Sequence, residues 1–394
     1  MNLLSLLSWY LPDAGPFCLH QTLALQEQGV EVHILANVVL PWRKYRYKVF
    51  GYPFNSFFTE EEGVTLLRNY AWKIPFVDEW NIKIWVARTV QLFDKYAKKY
   101  GLPDIIHVHS SMWGGYAAAL IKEKYGVPYV ITEHRGRFSS HSENMEILFK
   151  KSYTKYLNAA FSNASAIITV SDQLQEKVKT FTNGNVPIVT ISNCLDTDFF
   201  SYQERLRMDD KFVFMNANSY HFAKGYDILL PAFDRVCLQH PNASLILLGE
   251  GFDNHAFVSL LNKVRCRNII VFAGSHNREG VREYLRKSDC FVLSSRIESQ
   301  SVALLEALSC GIPVVCTQAV PVEIVPPTVA IQCESNSVEA LTIAMNQMIE
   351  KQKTFDPIEI SKFAQSVCSK QVVASKIIQV YQSILTENDS ISTK

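Results

Sequence analysis

Ser295-Arg-Ile-Glu-Ser-Gln-Ser-Val-Ala-Leu-Leu-Glu-Ala-Leu-Ser-Cys-Gly-Ile-Pro-Val-Val315 sets carboxylates at Glu298 and Glu306 on either side of a mostly apolar run, and a Gly-Ile-Pro turn then leads into a Val-Val strand. On one continuous helix the two acids would lie about 12 Å and roughly 80° apart, too far to share a proton as a general acid/base pair. Cys290–Leu293 reads as a strand just before, however, and Ser299 or Ser301 suits an N-cap. Glu298 then falls in the loop at the carboxyl end of the strand. Glu306 lies more than a turn into the helix, with its side chain tilted back towards the start. That layout suits an elongated ligand, one acid for each hydroxyl-rich end and the backbone N–H groups of Gln300–Ala303 for an anionic middle. A nucleotide sugar has this shape. On spacing alone a plainer reading stands beside it, in which Glu306 bonds a neighbouring turn and Glu298 is a solvated loop acid.

Outward from this stretch the chain alternates short apolar runs with helical patterns. Leu3–Ser8, Val32–Ala36, Ile105–His109, Tyr129–Thr132, Ala166–Val170 and Ile188–Ile191 read as strands, with helices over Phe17–Gln28 and Gly114–Tyr125. The pattern restarts with strands at Phe212–Asn216, Ser244–Leu248, Ile269–Phe272, Cys290–Leu293 and Pro313–Cys316, and helices over Tyr226–Gln239 and Val281–Ser288. Strands separated by helices of ten or more residues mean parallel βαβ units and doubly wound sheets. The fold class is therefore α/β with two Rossmann-like domains. Their boundary falls near Leu195–Leu206, giving 1–195, 196–370 and an amphipathic C-terminal piece, 371–394. Ligands in such sheets bind beyond the carboxyl ends of the strands, and a central cleft between two such sheets is the expected site.

The length of 394 residues agrees with two domains rather than one core. With 48% hydrophobic and 20% charged residues and a net charge of +1, the composition gives no nucleic-acid footprint. The nine cysteines are scattered without a C-x-x-C pair, which reads as reduced core thiols with neither a disulfide frame nor a zinc site. The apolar start, Met1–Pro12, lacks a basic region, is broken by Ser and ends early at Pro12-Asp13, so it is expected to be a buried strand rather than a leader. No segment approaches the roughly 20 apolar residues of a spanning helix. A cytoplasmic location is the expectation.

The opening stretch resembles the E-x7-E motif of retaining glycosyltransferases of family 4, the group 1 glycosyl transferases, followed here by Gly311-Ile-Pro313-Val-Val. Nearly the whole chain carries the likeness. Ser8-Trp-Tyr-Leu-Pro12 with Gly15-Pro-Phe resembles the first-strand loop of that family. His107-Val-His109 and Val130-Ile-Thr-Glu-His134 are similar to its H-x-H and T-E-H strand ends. Thr169-Val-Ser171 and Ile191-Ser-Asn193 match its signatures before the linker, Lys224-Gly to Phe233 its KG-x-x-x-L-L-x-A-F segment, and Leu247-Leu-Gly-Glu-Gly251 its G-x-G.

The resemblance implies a GT-B fold with an acceptor domain, a donor domain closing over the donor, and a final helix returning to the first domain. It implies that Glu298 faces the transferred sugar and Glu306 the ribose hydroxyls. Lys224 meets the diphosphate together with backbone N–H groups at Ser301 and Val302, while Gly15 lets the first loop approach it. His109 touches the donor sugar near the reacting carbon, and Gly274 or Ser275 lies by the base. The implied activity is metal-independent transfer with retention, from a nucleotide-sugar donor to a cell-surface glycan or lipid-linked glycan, with no cofactor and no nucleic-acid partner. Charge on the leaving nucleoside diphosphate is met by Lys224 and N–H groups, and same-face attack within an ion pair needs no covalent nucleophile.

The sequence departs from the family at Asn218 and Ser219, where many members carry an arginine, at Ser301 in place of a frequent glycine, and at Gln318–Glu323, which lacks paired glycines. Asp196-Thr-Asp198 has the D-x-D pattern of a metal site but lies where the family has its linker. Trp42–Phe50 interleaves bases and aromatics, which suits either a plain acceptor-side loop or contact with anionic headgroups at the inner membrane face. Two alternatives stay open. One is a nucleotide-sugar epimerase or phosphorylase-like enzyme on the same fold, and the other a catalytically silent glycan-binding relative. Gly249-Glu-Gly251 lacks the third glycine of a dinucleotide fingerprint, which argues against an oxidoreductase.

Overall fold

The computed structural model describes residues 1–10, 17–41, 55–139, 151–204 and 211–392. The chain forms two compact units, Met1–Cys194 together with Lys370–Lys394, and Leu195–Ser369.

In the first unit the strands are β1 (Asn2–Leu7), β2 (Glu31–Pro41), β3 (Phe57–Glu61), β4 (Val64–Lys73), β5 (Ile105–His109), β6 (Tyr129–Glu133), β7 (Ala166–Thr169) and β8 (Ile188–Thr190). They lie in the order β3-β4-β2-β1-β5-β6-β7-β8. Every pairing is parallel except that of β3 with β4. The parallel strands are covered on both faces, so β5 and β6 are buried throughout and read as near-continuous apolar runs. One face packs Trp85 and Phe93 of helix Asp78–Tyr100 and Phe161 of helix Lys151–Ser162 onto Leu6, Val108 and Ile131. The other packs Val373, Ile377 and Tyr381 of helix Lys370–Ser392, with Leu25, onto Leu3, Ile105 and Val130. The C-terminal helix is thus part of the core of the first unit.

The second unit has β9 (Phe212–Ala217), β10 (Ala243–Leu248), β11 (Ile270–Gly274), β12 (Cys290–Leu293), β13 (Val314–Thr317) and β14 (Ala330–Cys333), in the order β11-β10-β9-β12-β13-β14 and all parallel. Helices Tyr226–Gln239 and Val338–Lys351 cover one face through Leu229, Phe233 and Met345. Helices Val302–Ser309 and Pro357–Cys368 cover the other through Leu304, Leu308 and Ile360.

Several elements escape a reading of periodicity. Among them are the antiparallel pair β3–β4, the helix Asp78–Tyr100, and Val338–Lys351. Helix Gly114–Tyr125 starts at Tyr116 instead, because Ser111–Gly115 forms a tight turn in which Trp113 takes φ +74°. The cysteine expectation needs correction. Cys237 and Cys266, 29 residues apart, are joined as a disulfide, because helix Tyr226–Gln239 and the loop before β11 converge. Sequence spacing could not show that meeting. Seven cysteines are free, and all but Cys333 of these are buried. Among the described residues no helix is long and apolar enough to cross a membrane.

Candidate active site

Each sheet reverses its strand order at one point, between β1 and β5 in the first unit and between β9 and β12 in the second, and such points open a crevice at the carboxyl ends of the strands. Lys224, Glu298, Ser301, Val302 and Glu306 gather at the second of these places and His109 lies at the first.

In the second unit the loops after β9 and β12 are stitched together. Arg296 N–H donates to Ala223 O at 2.8 Å, and Ser294 Oγ donates to Lys224 O at 2.8 Å. Gly225 makes this approach possible. It takes φ +66°, and a Cβ there would lie 2.1 Å from Ser294 O. Lys224 and Glu298 are therefore brought together across 74 residues of sequence, with Lys224 Nζ 2.6 Å from Glu298 Oε1. Ser295 Oγ donates to the same carboxylate oxygen at 2.7 Å. Glu298 is 6% exposed. The loop acid expected to face a sugar is thus held rigidly, and the lysine expected to meet a diphosphate stands against it.

Helix Val302–Ser309 starts just beyond. Ser301 is its N-cap, with Oγ accepting from Leu304 N–H at 3.3 Å. Glu306 lies on this helix, half-buried, and no described residue donates a hydrogen bond to its carboxylate. Burial pushes its pKa up to about 7, with Arg278 acting the other way. Gly274 ends β11 with φ +77° and Ser275 follows, exposed, farther out along the same carboxyl edge.

No arginine stands at Asn218 or Ser219, and the guanidinium of Arg296 is committed within its own unit. Arg296 reaches Phe222 O at 2.9 Å but is engaged by both oxygens of Asp227, at 2.8 and 2.7 Å. Asn216 is a further site-supporting residue that the motifs did not flag. It donates to Val292 O at 2.7 Å and accepts from Tyr226 OH at 2.9 Å, tying β9 to β12 below the crevice. Asp196 of the D-x-D accepts from Phe199 N–H at 3.2 Å and faces Arg278 at 3.6 Å, as a turn-capping residue does.

In the first unit His109 ends β5 and is 1% exposed. Its Nδ1 lies 3.1 Å from His134 Nε2, and His134 Nδ1 lies 3.0 Å from Asn193 Oδ1. With Asn193 presenting an acceptor, a neutral His134 donates from Nδ1 and accepts at Nε2. His109 then donates from Nδ1 and keeps a lone pair on Nε2. Burial holds all three histidines of this cluster neutral, His107 down to about 3, His134 down to about 4, and His109 well below its usual range. His107 hydrogen-bonds Tyr381 OH and lies 2.6 Å from Thr132 Oγ1, joining the strand to the C-terminal helix. Buried Glu133 accepts from Ser111 N–H and Oγ at 2.9 and 2.6 Å and from the N–H groups of His134 and Arg135 at 3.1 and 3.0 Å. Ser110 and Trp113 hold positive φ beside it, the kind of backbone strain that clusters at functional sites. Gly15 and the Trp42–Phe50 stretch lie outside the described residues.

Two family profiles match in succession, Glycosyltransferase Family 4 over residues 15–199 and Glycosyl transferases group 1 over residues 198–360. The chain belongs to the GT-B glycosyltransferases. TuaC of Bacillus subtilis, a glycosyltransferase assigned to teichuronic acid biosynthesis, is 26% identical over 78% of this chain and 77% of its own length. One component of the human phosphatidylinositol N-acetylglucosaminyltransferase is 26% identical over 72% of this chain and 58% of that protein. Among solved structures, sucrose-phosphate synthase of Thermosynechococcus elongatus superposes with a TM-score of 0.80 at 17% identity, covering 98% of this chain and all of that one. Anabaena HepE in complex with UDP gives 0.71 at 17% identity, over 97% of this chain and 100% of that one. These structures share the GT-B fold expected from the sequence, with two parallel α/β domains.

Proposed function

We propose that this GT-B glycosyltransferase moves a hexosyl unit from a nucleotide-sugar donor, with retention and without a metal, to a lipid-linked cell-surface glycan at the cytoplasmic face of the membrane. One observation carries the donor half of this reading. The loops after β9 and β12 place Lys224, Glu298 and the capped start of helix Val302–Ser309 at one switch point, with the undonated carboxylate of Glu306 on that helix. Structures of HepE with UDP and with UDP-glucose support a donor of this class. The names of TuaC and of the human phosphatidylinositol N-acetylglucosaminyltransferase support a cell-envelope or lipid acceptor.

In this mechanism the nucleoside diphosphate leaves against Lys224 and the N–H groups at Ser301 and Val302, which meet charge as it develops. Glu306 accepts from the ribose hydroxyls, and Gly274 or Ser275 borders the base. Glu298 accepts from hydroxyls of the transferred sugar. On binding, Lys224 exchanges part of its contact with Glu298 for the diphosphate. His109 touches the sugar near the reacting carbon, and the acceptor attacks from the face the diphosphate leaves.

The first test is a thermal-shift screen of UDP-, GDP- and ADP-sugars, since a specific donor stabilises the folded chain by mass action. The second is Glu298→Gln assayed for transfer with the donor so found. Unchanged turnover would refute the site.

A further inference from the structure

The carboxyl edge of the first sheet holds a cavity of about 350 Å³, lined by Ser8 and Trp9 after β1, Lys73 at the end of β4, Trp113 after β5, and Arg135 and Arg137 after β6. Three cations share this space. Lys73 is offset by Asp78 at 3.3 Å. Arg135 and Arg137 have no such relief, since among the described residues no carboxylate forms an ion pair with either. Glu133, the acid nearest in sequence, has both oxygens taken by backbone N–H groups and Ser111.

The cost of this arrangement is visible. Burial holds Arg135 below the usual guanidinium range; Glu133 works against that and the Arg137 charge adds to it. What accompanies the charges is aromatic. The Arg135 guanidinium lies 5.5 Å from the centroid of Trp9, and Lys73 Nζ lies 5.9 Å from that of Trp113. Two guanidinium groups in one cavity with two indoles, one of them beside Arg135, and with no ion-paired carboxylate on either arginine among the described residues, match a ligand that has an anionic group next to a sugar ring. Arginine binds phosphate or carboxylate in a bidentate fork, and an indole face covers sugar C–H groups.

We propose that this cavity is an acceptor subsite, and that the acceptor is recognised through a phosphate or carboxylate held by Arg135 and Arg137. The assignment rests on reading the first unit as the acceptor side, and it adds the chemical class of the acceptor. A diphosphate linking a glycan to lipid and an acidic sugar within the glycan are two sources of the same chemistry.

The test uses the full chain without nucleotide, titrated with inorganic pyrophosphate, glucuronate or glucose while indole fluorescence and melting temperature are followed. Pyrophosphate or glucuronate is expected to bind and glucose not. Arg135→Gln/Arg137→Gln should weaken that binding by roughly tenfold or more, as loss of charge-assisted hydrogen bonds does, and added salt should weaken it too. Arg137 is exposed, so Arg137→Gln alone provides a variant whose folding is not at issue. Which anion binds names the source. If neither binds, or if binding survives in the double variant and disappears in Lys224→Ala, the inference is overturned. Nucleotide-sugar stabilisation is measured on the same variants. A chain that binds the donor and no anion here keeps the proposed function and loses this subsite. A chain that binds the anion and no donor loses the acceptor assignment with it.

Discussion

Lys224 Nζ stands 2.6 Å from Glu298 Oε1, joining the loops that follow two strands adjacent in the sheet and 74 residues apart in the chain. The pair is partly shielded, with side chains 26% and 7% exposed. Groups that act on one ligand and also on each other are not additive. Lys224→Ala and Glu298→Gln are each expected to lower kcat/KM for transfer about 100-fold or more, the scale of losing one electrostatic stabiliser. The double variant should fall little below the worse single one. A product of the two single losses, measured by steady-state kinetics, would mean that the residues serve separate steps.

Glu306 gives a pH-dependent stability term of known sign. Its pKa in the folded chain is about 7, against an ordinary 4.5. Between those values the folded chain binds the extra proton, so stability falls as pH rises through that window and the full penalty applies above it. Glu306→Gln is therefore expected to stabilise the unliganded chain at pH 8 by about 1–2 kcal/mol after solvent screening, and to change little at pH 4.5. The same substitution should weaken nucleotide-sugar binding. Urea midpoints at the two pH values and a donor titration check both halves, and a destabilised variant at pH 8 would contradict them.

The histidine cluster acts over an overlapping pH window and with the opposite sign. His107 and His134 titrate near 3 and 4 when folded, below the ordinary 6.5. The unfolded chain then binds more protons between pH 4 and 6.5, so stability is full above 6.5 and declines as pH falls. Guanidinium unfolding at pH 7 and pH 5 should show that loss, and His134→Asn should reduce it. Glu306 opposes this trend over the same range, so the comparison is made in the Glu306→Gln background, where a pH-independent midpoint would show that the cluster is not buried in neutral form.

Gly225 is the backbone device that lets Lys224 approach Glu298. A methyl group at this position would meet Ser294 O at 2.1 Å in a left-handed backbone conformation. Gly225→Ala is expected to cost about 3 kcal/mol or more and to lower donor affinity along with stability, because loops 221–225 and 294–296 must part. Calorimetric unfolding and a donor titration on one sample test this. A melting temperature within a degree of the parent chain would count against the contact.

Much of the fold was legible because buried parallel strands leave short, dense apolar runs. Ile105–His109 and Cys290–Leu293 are such runs, and both appear as strands with those bounds. Amphipathic helices with glycine stops, such as the one ending before Gly126, were equally plain. The strand β4 and the helix Asp78–Tyr100 were not. The first mixes Arg68, Asn69 and Tyr70 into its length, and those side chains meet partners on Glu61, Asn37 and Arg88 that only folding supplies.

The sequence by itself determined the alternation of elements, an N-cap at Ser299 or Ser301 and the identity of the acids at Glu298 and Glu306, because these depend on local spacing and backbone chemistry. Only the tertiary structure decided that Lys224 pairs with Glu298, that Cys237 meets Cys266, that His109 is tied through His134 to Asn193, and that Arg135 and Arg137 share a cavity without a counter-ion among the described residues. The physical reason is strand order. Parallel sheets set side by side segments far apart in the chain, and no local pattern records which loops will meet at their carboxyl ends.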